Sequence, residues 1–402
     1  MMVGIKPEDK AMKLRNEKMK VRNITQLTFC MFLMLVGCKS SGEFDPGPFA
    51  RENGEDKTLL TFNVTDASGE PIEGAYVVSY RQLAPKHIRT GEGYTDNQGE
   101  IQIEDQSHTA KGYATVTAPG YNSKRIDLII EQKQENNISI TLLAQDVLKV
   151  MSYNIQEGFK NNAQQRQKFA EWVQTYDPDI ILVQEMMHFT DASFAAFAKT
   201  YGHDHAVLTK TVGIPTGITS KEPINNIRKV VQTGVLHHGY VTAETAGIRV
   251  FSIHLCPYEL DNERNIYQIA RKDEIKIIMD DAAHYTSVPV IIGGDLNDHN
   301  TFDRDSYGPG YRYGERDHTV TNTLKEYNFL DTYPLLQNIF KPTWPVDNVS
   351  SNGPNEGARL DYIFVSDNAR NTVVYSDIIQ STYTDSFSDH YPTYIEIKKS
   401  TN

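Results

Sequence analysis

The chain has 402 residues, 39% of them hydrophobic, and a formal net charge of −12 at pH 7. The apolar content excludes a largely disordered chain, and the length predicts two or three folded units. The acidic balance persists from Val147 onward and disfavours nonspecific nucleic-acid binding, which relies on a basic surface to displace counterions.

At the N-terminus, Met19-Lys20-Val21-Arg22 is a basic start, followed by an apolar run over 27–37. That run is too short to span a bilayer and suits the hydrophobic region of a secretory signal. It closes on Leu35-Val36-Gly37-Cys38, which resembles the lipobox of bacterial lipoproteins. The resemblance implies a signal peptide over 1–37, cleavage before Cys38 and lipidation of that cysteine. It further implies a lipid-anchored outer-membrane lipoprotein in the cell envelope, facing the periplasm or the surface. The other reading is a buried helix that ends by chance in cysteine. Residues 38–56, rich in Gly, Pro and charge, read as a tether, and the acidic residues soon after Cys38 are similar to the surface-export signal of some bacterial lipoproteins. The other cysteines, Cys30 and Cys256, supply no disulfide framework.

Over 57–145 the pattern changes to short β-rich runs. Leu60, Phe62 and Val64 alternate with polar residues, the period of a half-buried strand. Further runs at 75–80, 100–103, 114–118, 125–130 and 138–142, separated by Gly and Asp turns, predict an all-β sandwich. The segments Val64-Thr65-Asp66, Gly69-Glu70-Pro71-Ile72-Glu73-Gly74-Ala75, Thr95-Asp96 and Pro119-Gly120-Tyr121 resemble the carboxypeptidase-regulatory-like domain. That family implies a spacer or weak binding module, and with no catalytic grouping in the stretch the expectation is a stalk.

From 146 to 402 strands and helices alternate. A strand over 147–153 ends at Asn154, a helix covers 163–176 with Phe169, Trp172 and Val173 at helical spacing, and Asp177-Pro178 stops it. A continuous apolar run at 180–183, read as a fully buried strand, delivers Gln184 and Glu185. The cycle recurs: 250–253 leads to His254, a helix spans 263–281, and 288–292 leads to Asp295 and Asn297. Late strands carry Asp361 and run beyond Asp389-His390. Polar residues at successive strand ends are how a sheet gathers a site, although each alone reads equally as a cap or a solvated residue.

Six motifs occur in order: Ser152-Tyr153-Asn154, Gln184-Glu185, Ser252-Ile253-His254-Leu255, Gly294-Asp295-Leu296-Asn297, Arg359-Leu360-Asp361-Tyr362-Ile363 and Ser388-Asp389-His390-Tyr391-Pro392. Together they resemble the endonuclease/exonuclease/phosphatase superfamily, which includes deoxyribonucleases, sphingomyelinases and inositol-polyphosphate phosphatases. The resemblance implies an α/β fold, a four-layered sandwich with two mixed β-sheets packed face to face, and phosphoester hydrolysis with Mg²⁺ or Mn²⁺. Hard cations prefer carboxylate and amide oxygens, which Glu185 can supply, the resemblance implying Asn154 and Asp389 nearby, and no zinc-type Cys/His cluster occurs. By the same resemblance, His390 pairs with Asp361, His254 contacts the scissile phosphate or leaving group, and Asp295 and Asn297 orient water and a nonbridging oxygen. Glu222 is not assigned as the partner of His254, because its surroundings look like a strand end elsewhere in the superfamily.

The substrate-binding residues are unknown from sequence. Arg304, Arg312 and Arg316 in the polar segment 298–318 are placed either to pair with extra phosphates or in a solvated loop. A lipid-headgroup, inositol-phosphate or phosphoglycan substrate ranks above nucleic acid. An extracellular nuclease and a non-catalytic surface binding protein are the alternatives, and no obligate protein partner is evident.

Overall fold

The computed structural model describes residues 57–83, 86–105, 109–257, 264–308, 318–346 and 357–399. The signal, Cys38, the tether, Arg312 and Arg316 lie outside them. No helix among the described residues is long and apolar enough to cross a membrane.

The first seven strands, β1 (Thr58–Thr65), β2 (Tyr76–Leu83), β3 (Lys86–Tyr94), β4 (Glu100–Asp105), β5 (Lys111–Thr117), β6 (Lys124–Ile129) and β7 (Glu135–Thr141), form two sheets of order β4-β1-β7 and β3-β2-β5-β6. Between the sheets lies an aliphatic core of Leu60, Phe62, Val64, Val77, Val116 and Ile140. Strand β3 was not expected from the sequence; it pairs along β2 and breaks register between Ser79 and Tyr80.

The stalk reading fails on the other face of β2. A free sheet would turn its outer side chains to water, yet Tyr76, Val78, Tyr80 and Tyr113 share one buried cluster with Trp172, Tyr176, Phe387 and Tyr394 of the catalytic region. Fully burying a large apolar side chain is worth roughly 1.5–3 kcal/mol, so the rings of Tyr76, Tyr80 and Tyr113 and the Val78 side chain favour keeping the two regions packed together. The β unit is therefore a packed layer of the molecule.

The catalytic region contains β8 (Val147–Asn154), α1 (Ala163–Tyr176), β9 (Ile180–Gln184), α2 (Asp191–Lys199), β10 (His205–Leu208), β11 (Gly217–Ser220), β12 (Asn225–Val230), β13 (Tyr240–Thr245), β14 (Ile248–His254), α3 (Arg264–Ala282), β15 (Val290–Asp295), α4 (Thr301–Tyr307), α5 (Thr319–Glu326), β16 (Phe329–Asp331), α6 (Thr332–Leu336), β17 (Asp361–Ser366), β18 (Val373–Ile378) and β19 (Thr393–Lys398). Two six-stranded mixed sheets result, β10-β11-β9-β8-β19-β18 and β12-β13-β14-β15-β17-β16. Their facing sides meet in a core that includes Val150, Leu182, Val250, Ile291, Ile363 and Ile395. Outside, α1 lays Phe169, Trp172 and Val173 on Met151 and Val183, and α3 lays Ile275, Ile278 and Met279 on Phe251 and Ile292. The expected four-layered sandwich is the observed fold. Helix α1 keeps its expected limits because the Asn162 side chain accepts from the backbone N–H groups of Gln164 and Gln165 and Asp177 ends it in a left-handed conformation.

Candidate active site

Strand register gathers the site. Strands β14 and β15 are parallel with His254 opposite Asp295, while β15 and β17 are antiparallel with Asp295 opposite Asp361. Three adjacent strands thus align His254, Asp295 and Asp361 in one row on a single rim. In the other sheet β8 and β9 are parallel with Asn154 opposite Gln184, and β19 starts on the same rim with Thr393 opposite Ser152. The Ser388 hydroxyl donates to the Asn154 carbonyl at 2.7 Å and fixes the approach of His390. Close packing of the strands needs Gly294, where a Cβ would collide with the Ile253 carbonyl oxygen.

Asp295 Oδ2 is the hub. The Asn154 Nδ2 group donates to it at 3.1 Å, His254 Nε2 lies 3.5 Å away and His390 Nε2 3.8 Å away. The same Asn154 amide donates to Glu185 Oε1 at 3.1 Å, so one NH₂ group bridges the two carboxylates. Its oxygen accepts from the Gln156 N–H instead. Asp361 Oδ2 lies 2.7 Å from His390 Nδ1, which fixes the ring orientation and turns Nε2 toward Asp295. Glu185 and Asn297 both have positive φ, 59° and 49°; a left-handed conformation is ordinary for asparagine but costs a glutamate about 1–2 kcal/mol. Asn297 is held by its N–H to Asp295 Oδ1 at 2.9 Å and its amide to the Leu255 carbonyl at 3.2 Å.

Electrostatics separates the titratable groups. Burial and the neighbouring Asp361 carboxylate push Asp295 up to about 7. For His390 burial opposes the charged form, but Asp361 and Asp295 outweigh it and raise the imidazole to about 10. His254 is held well below its usual range by burial and by the other histidines, so it is neutral. Among the described residues both of its ring nitrogens lack a hydrogen-bond partner, as do Asp361 Oδ1 and Gln184 Oε1. These groups are buried with unused hydrogen-bonding capacity on the rim where a reactant would sit.

The model of the Endonuclease/Exonuclease/phosphatase family matches residues 151–390. The chain belongs to this family. No sequence among the curated proteins matches it. Similar solved structures include a 3′ phosphatase from Neisseria bound to product DNA hairpin, 17% identical, covering 62% of this chain and 99% of that one at a TM-score of 0.49. Another is an AP endonuclease from Archaeoglobus fulgidus, 18% identical, covering 62% and 99% at a TM-score of 0.48.

Within this endonuclease/exonuclease/phosphatase domain, the structure brings together Asn154, Glu185, His254, Asp295, Asn297, Asp361 and His390. Asp389 adjoins them through Ser388, whose hydroxyl is 3.5 Å from its carboxylate, but no hydrogen bond among the described residues joins its side chain to Glu185 or Asn154. The carboxylates are suited to a divalent cation: ligand atoms of Asp295, Asp361 and His390 all lie within 4.8 Å of one another, and Asp361 Oδ1 is buried with no hydrogen-bond partner among the described residues. Glu222 sits beside the β13–β14 turn, where Thr245 donates to its carbonyl, at the opposite end of β14 from His254. Arg304 pairs with Asp305 at 3.0 Å on α4.

Two residues were missed by sequence reasoning. His238 is 3% exposed, its ring lies 4.3 Å from that of His254, and its Nε2 has no hydrogen-bond partner among the described residues. The pair His237-His238 before Gly239 was the available signal, but it belongs to no motif. Arg359 was quoted only as part of a motif; it is buried and bonds Asp303 at 2.8 Å and both oxygens of Asp331 at 3.0 and 2.5 Å, anchoring the start of β17 two residues before Asp361.

Proposed function

We propose that the chain is an exported, lipid-anchored, divalent-metal-dependent phosphoesterase acting on a phosphodiester or phosphomonoester of lipid-headgroup, inositol-phosphate or phosphoglycan type. The observation that carries the reading is the convergence of Asn154, His254 and His390 on Asp295 Oδ2, with the Asp361–His390 pair behind it. A phosphoester is anionic and repels hydroxide, so its hydrolysis needs oriented water and compensation of charge on the phosphoryl oxygens. Asp295, buried and raised to about 7, orients water together with Asn297, and its carboxylate alone accepts the proton. His390, held charged by two carboxylates, faces the developing negative charge with Nε2. The neutral His254 offers an N–H to a nonbridging or leaving oxygen. A divalent cation held by Glu185, with Asp295 and Asp361 at hand, supplies further charge neutralisation when bound.

The acidic chain supports a small or headgroup-type substrate over polynucleotide. The unpaired polar groups on the rim favour an enzyme over a non-catalytic binder. The lipobox-like Leu35-Val36-Gly37-Cys38 supports the anchor.

The test is one experiment with several arms. Bis-p-nitrophenyl phosphate hydrolysis is expected to vanish with EDTA and return with Mg²⁺ or Mn²⁺; indifference to EDTA sinks the metal assignment. A panel of inositol phosphates, glycerophosphodiesters, sphingomyelin, phosphosugars and DNA, run beside His390→Ala, fixes the substrate class, and efficient His390-dependent DNA cleavage overturns the ranking. Membrane partition that survives Cys38→Ala refutes the anchor.

A further inference from the structure

The segment joining β18 to His390 is gripped from outside the catalytic region, by the β2–β3 hairpin of the N-terminal β unit. Tyr80 donates its hydroxyl to the Gln380 carbonyl at 2.9 Å, and His87 Nε2 lies 2.9 Å from the Gln380 side-chain oxygen. The Glu92 carboxylate accepts the Thr382 N–H at 2.9 and 3.1 Å and also its hydroxyl. Arg89 Nη2 donates to Asp385 Oδ2 at 2.5 Å. The other oxygen of Asp385 accepts the Tyr391 hydroxyl at 2.6 Å. Tyr391 is the residue after His390 and is 1% exposed.

Asp385 therefore takes one donor from each region and links Arg89 to the backbone that carries His390. Four hairpin residues hold three positions of one short segment, and β2 and β3 pair along their whole length behind them. Beneath the contacts Tyr76 and Tyr80 are buried with Phe387 in one cluster. A hairpin that only glued two regions together would have no reason to direct its charged residues at the ten residues before His390.

We propose that the β unit is a positioning element of the active site, with Arg89 and Glu92 setting the place of His390 through Asp385, Thr382 and Tyr391. The inference rests on the reading of His390 as catalytic. The arrangement transmits geometry and donates nothing to the reactants: Arg89 and Tyr391 are positioning residues, and their loss moves His390 relative to Asp361 and Asp295. Displacing a reacting group by about 1 Å costs as much as two orders of magnitude in rate, so a partial displacement is expected to show mainly in kcat.

The experiment uses the full chain with bis-p-nitrophenyl phosphate and Mg²⁺, and compares Arg89→Ala, Tyr391→Phe and the double variant, with Arg89→Lys for rescue and His390→Ala as control. Arg89→Ala and Tyr391→Phe are each expected to lower kcat by about tenfold with KM nearly unchanged and to displace the pH profile of kcat. The double variant is expected to be no worse than the weaker single, because both act through Asp385. Arg89→Lys is expected to recover part of the loss. A wild-type kcat and pH profile in Tyr391→Phe, or losses that follow only a fall in Tm, overturn the proposal. Tyr391→Phe removes a single oxygen and decides the matter by itself if Arg89→Ala gives no folded enzyme. Full activity in His390→Ala would instead refute the reading of the site, whereas its loss beside unaffected Arg89 and Tyr391 variants refutes the positioning role alone.

Discussion

At the rim before β9, His203 is 1% exposed and both ring nitrogens are bonded, Nδ1 to the Thr219 hydroxyl and Nε2 to the Pro178 carbonyl, each at 2.8 Å. At the opposite rim His254 is 3% exposed and neither nitrogen has a hydrogen-bond partner among the described residues, Asp295 Oδ2 standing 3.5 Å from Nε2. Burial is the same and the accounting is opposite. An unpaired buried polar group costs about 1–3 kcal/mol, a cost that a purely structural position has no reason to carry. The two histidines separate a group that holds the fold from one kept ready for a reactant.

Substitution can break this contrast. His390→Ala and His254→Ala are expected to lower kcat by roughly 10²–10⁴-fold, the range usual for a lost proton-transfer or charge-stabilising group; His390→Ala also loses stability because it leaves Asp361 and Asp295 buried without their cation, while His254→Ala leaves Tm little changed. His203→Ala is expected to do the reverse: it leaves the Pro178 carbonyl without its His203 partner and the Thr219 hydroxyl with only the 3.4 Å bond from the Tyr201 hydroxyl, and costs about 1–3 kcal/mol of stability, while the folded enzyme turns over normally. Steady-state kinetics beside thermal melts on all three variants decides. A fall in kcat for His203→Ala, or an active His254→Ala, would show that unmet hydrogen bonds do not mark the working rim.

Arg359 sharpens the comparison because it sits on the active rim and is nevertheless fully paired. Its guanidinium lies between Asp303 and Asp331, and burial lifts the Asp303 carboxyl to about 6 despite that partner. Removing one member of such a cluster leaves uncompensated buried charge. Arg359→Met is therefore expected to cost roughly 3–5 kcal/mol in denaturant titrations, with a smaller loss of kcat in the protein that still folds. Unchanged stability would mean that water reaches the Asp303–Asp331 pair.

How far the sequence carried these conclusions follows from what each signal encodes. Buried parallel strands write themselves as apolar runs, so β9, β14 and β15 and the residues they deliver were legible, and the end of α1 was marked by Asp177-Pro178, whereas its Asn162 cap was not read from the sequence. Short strands such as β10, β11 and β16 carry too few residues for a period to register, and β3, with Gly91 and Gly93 in it, has little strand character. His238 was invisible because its partner is fixed by a fold contact and not by spacing. The β unit misled for a visible reason: Tyr76, Val77, Val78 and Tyr80 are apolar on both sides of β2, a pattern for a strand covered on both faces, and a stalk would have alternated. The grip on the 380–385 segment spans nearly three hundred residues and leaves no local trace.

The smallest expected effect extends the histidine contrast to pH. His203 is driven down to about 4, chiefly by burial. At the interface of the β unit, burial and the nearby Lys341 ammonium push His87 down to about 3, against the opposing hydrogen bond to Gln380; Arg125 adds to the lowering. Both are neutral when folded, and both bind a proton near pH 6.5 when unfolded. Above that pH neither state is protonated and their contribution is fully present; as the pH falls toward 4 the unfolded chain takes up protons that the folded chain refuses, and stability is lost. Each such group adds at most about 1.4 kcal/mol per pH unit to the slope across that window. His87→Gln keeps a donor for the Gln380 oxygen but cannot titrate, so its stability between pH 6.5 and about 4 is expected to fall less steeply than wild type by up to one proton's worth. Urea melts at half-unit pH steps measure the two slopes directly. Parallel slopes would mean that His87 reaches water in the folded protein, and that the seam between the β unit and the 380–385 segment opens on the timescale of proton exchange.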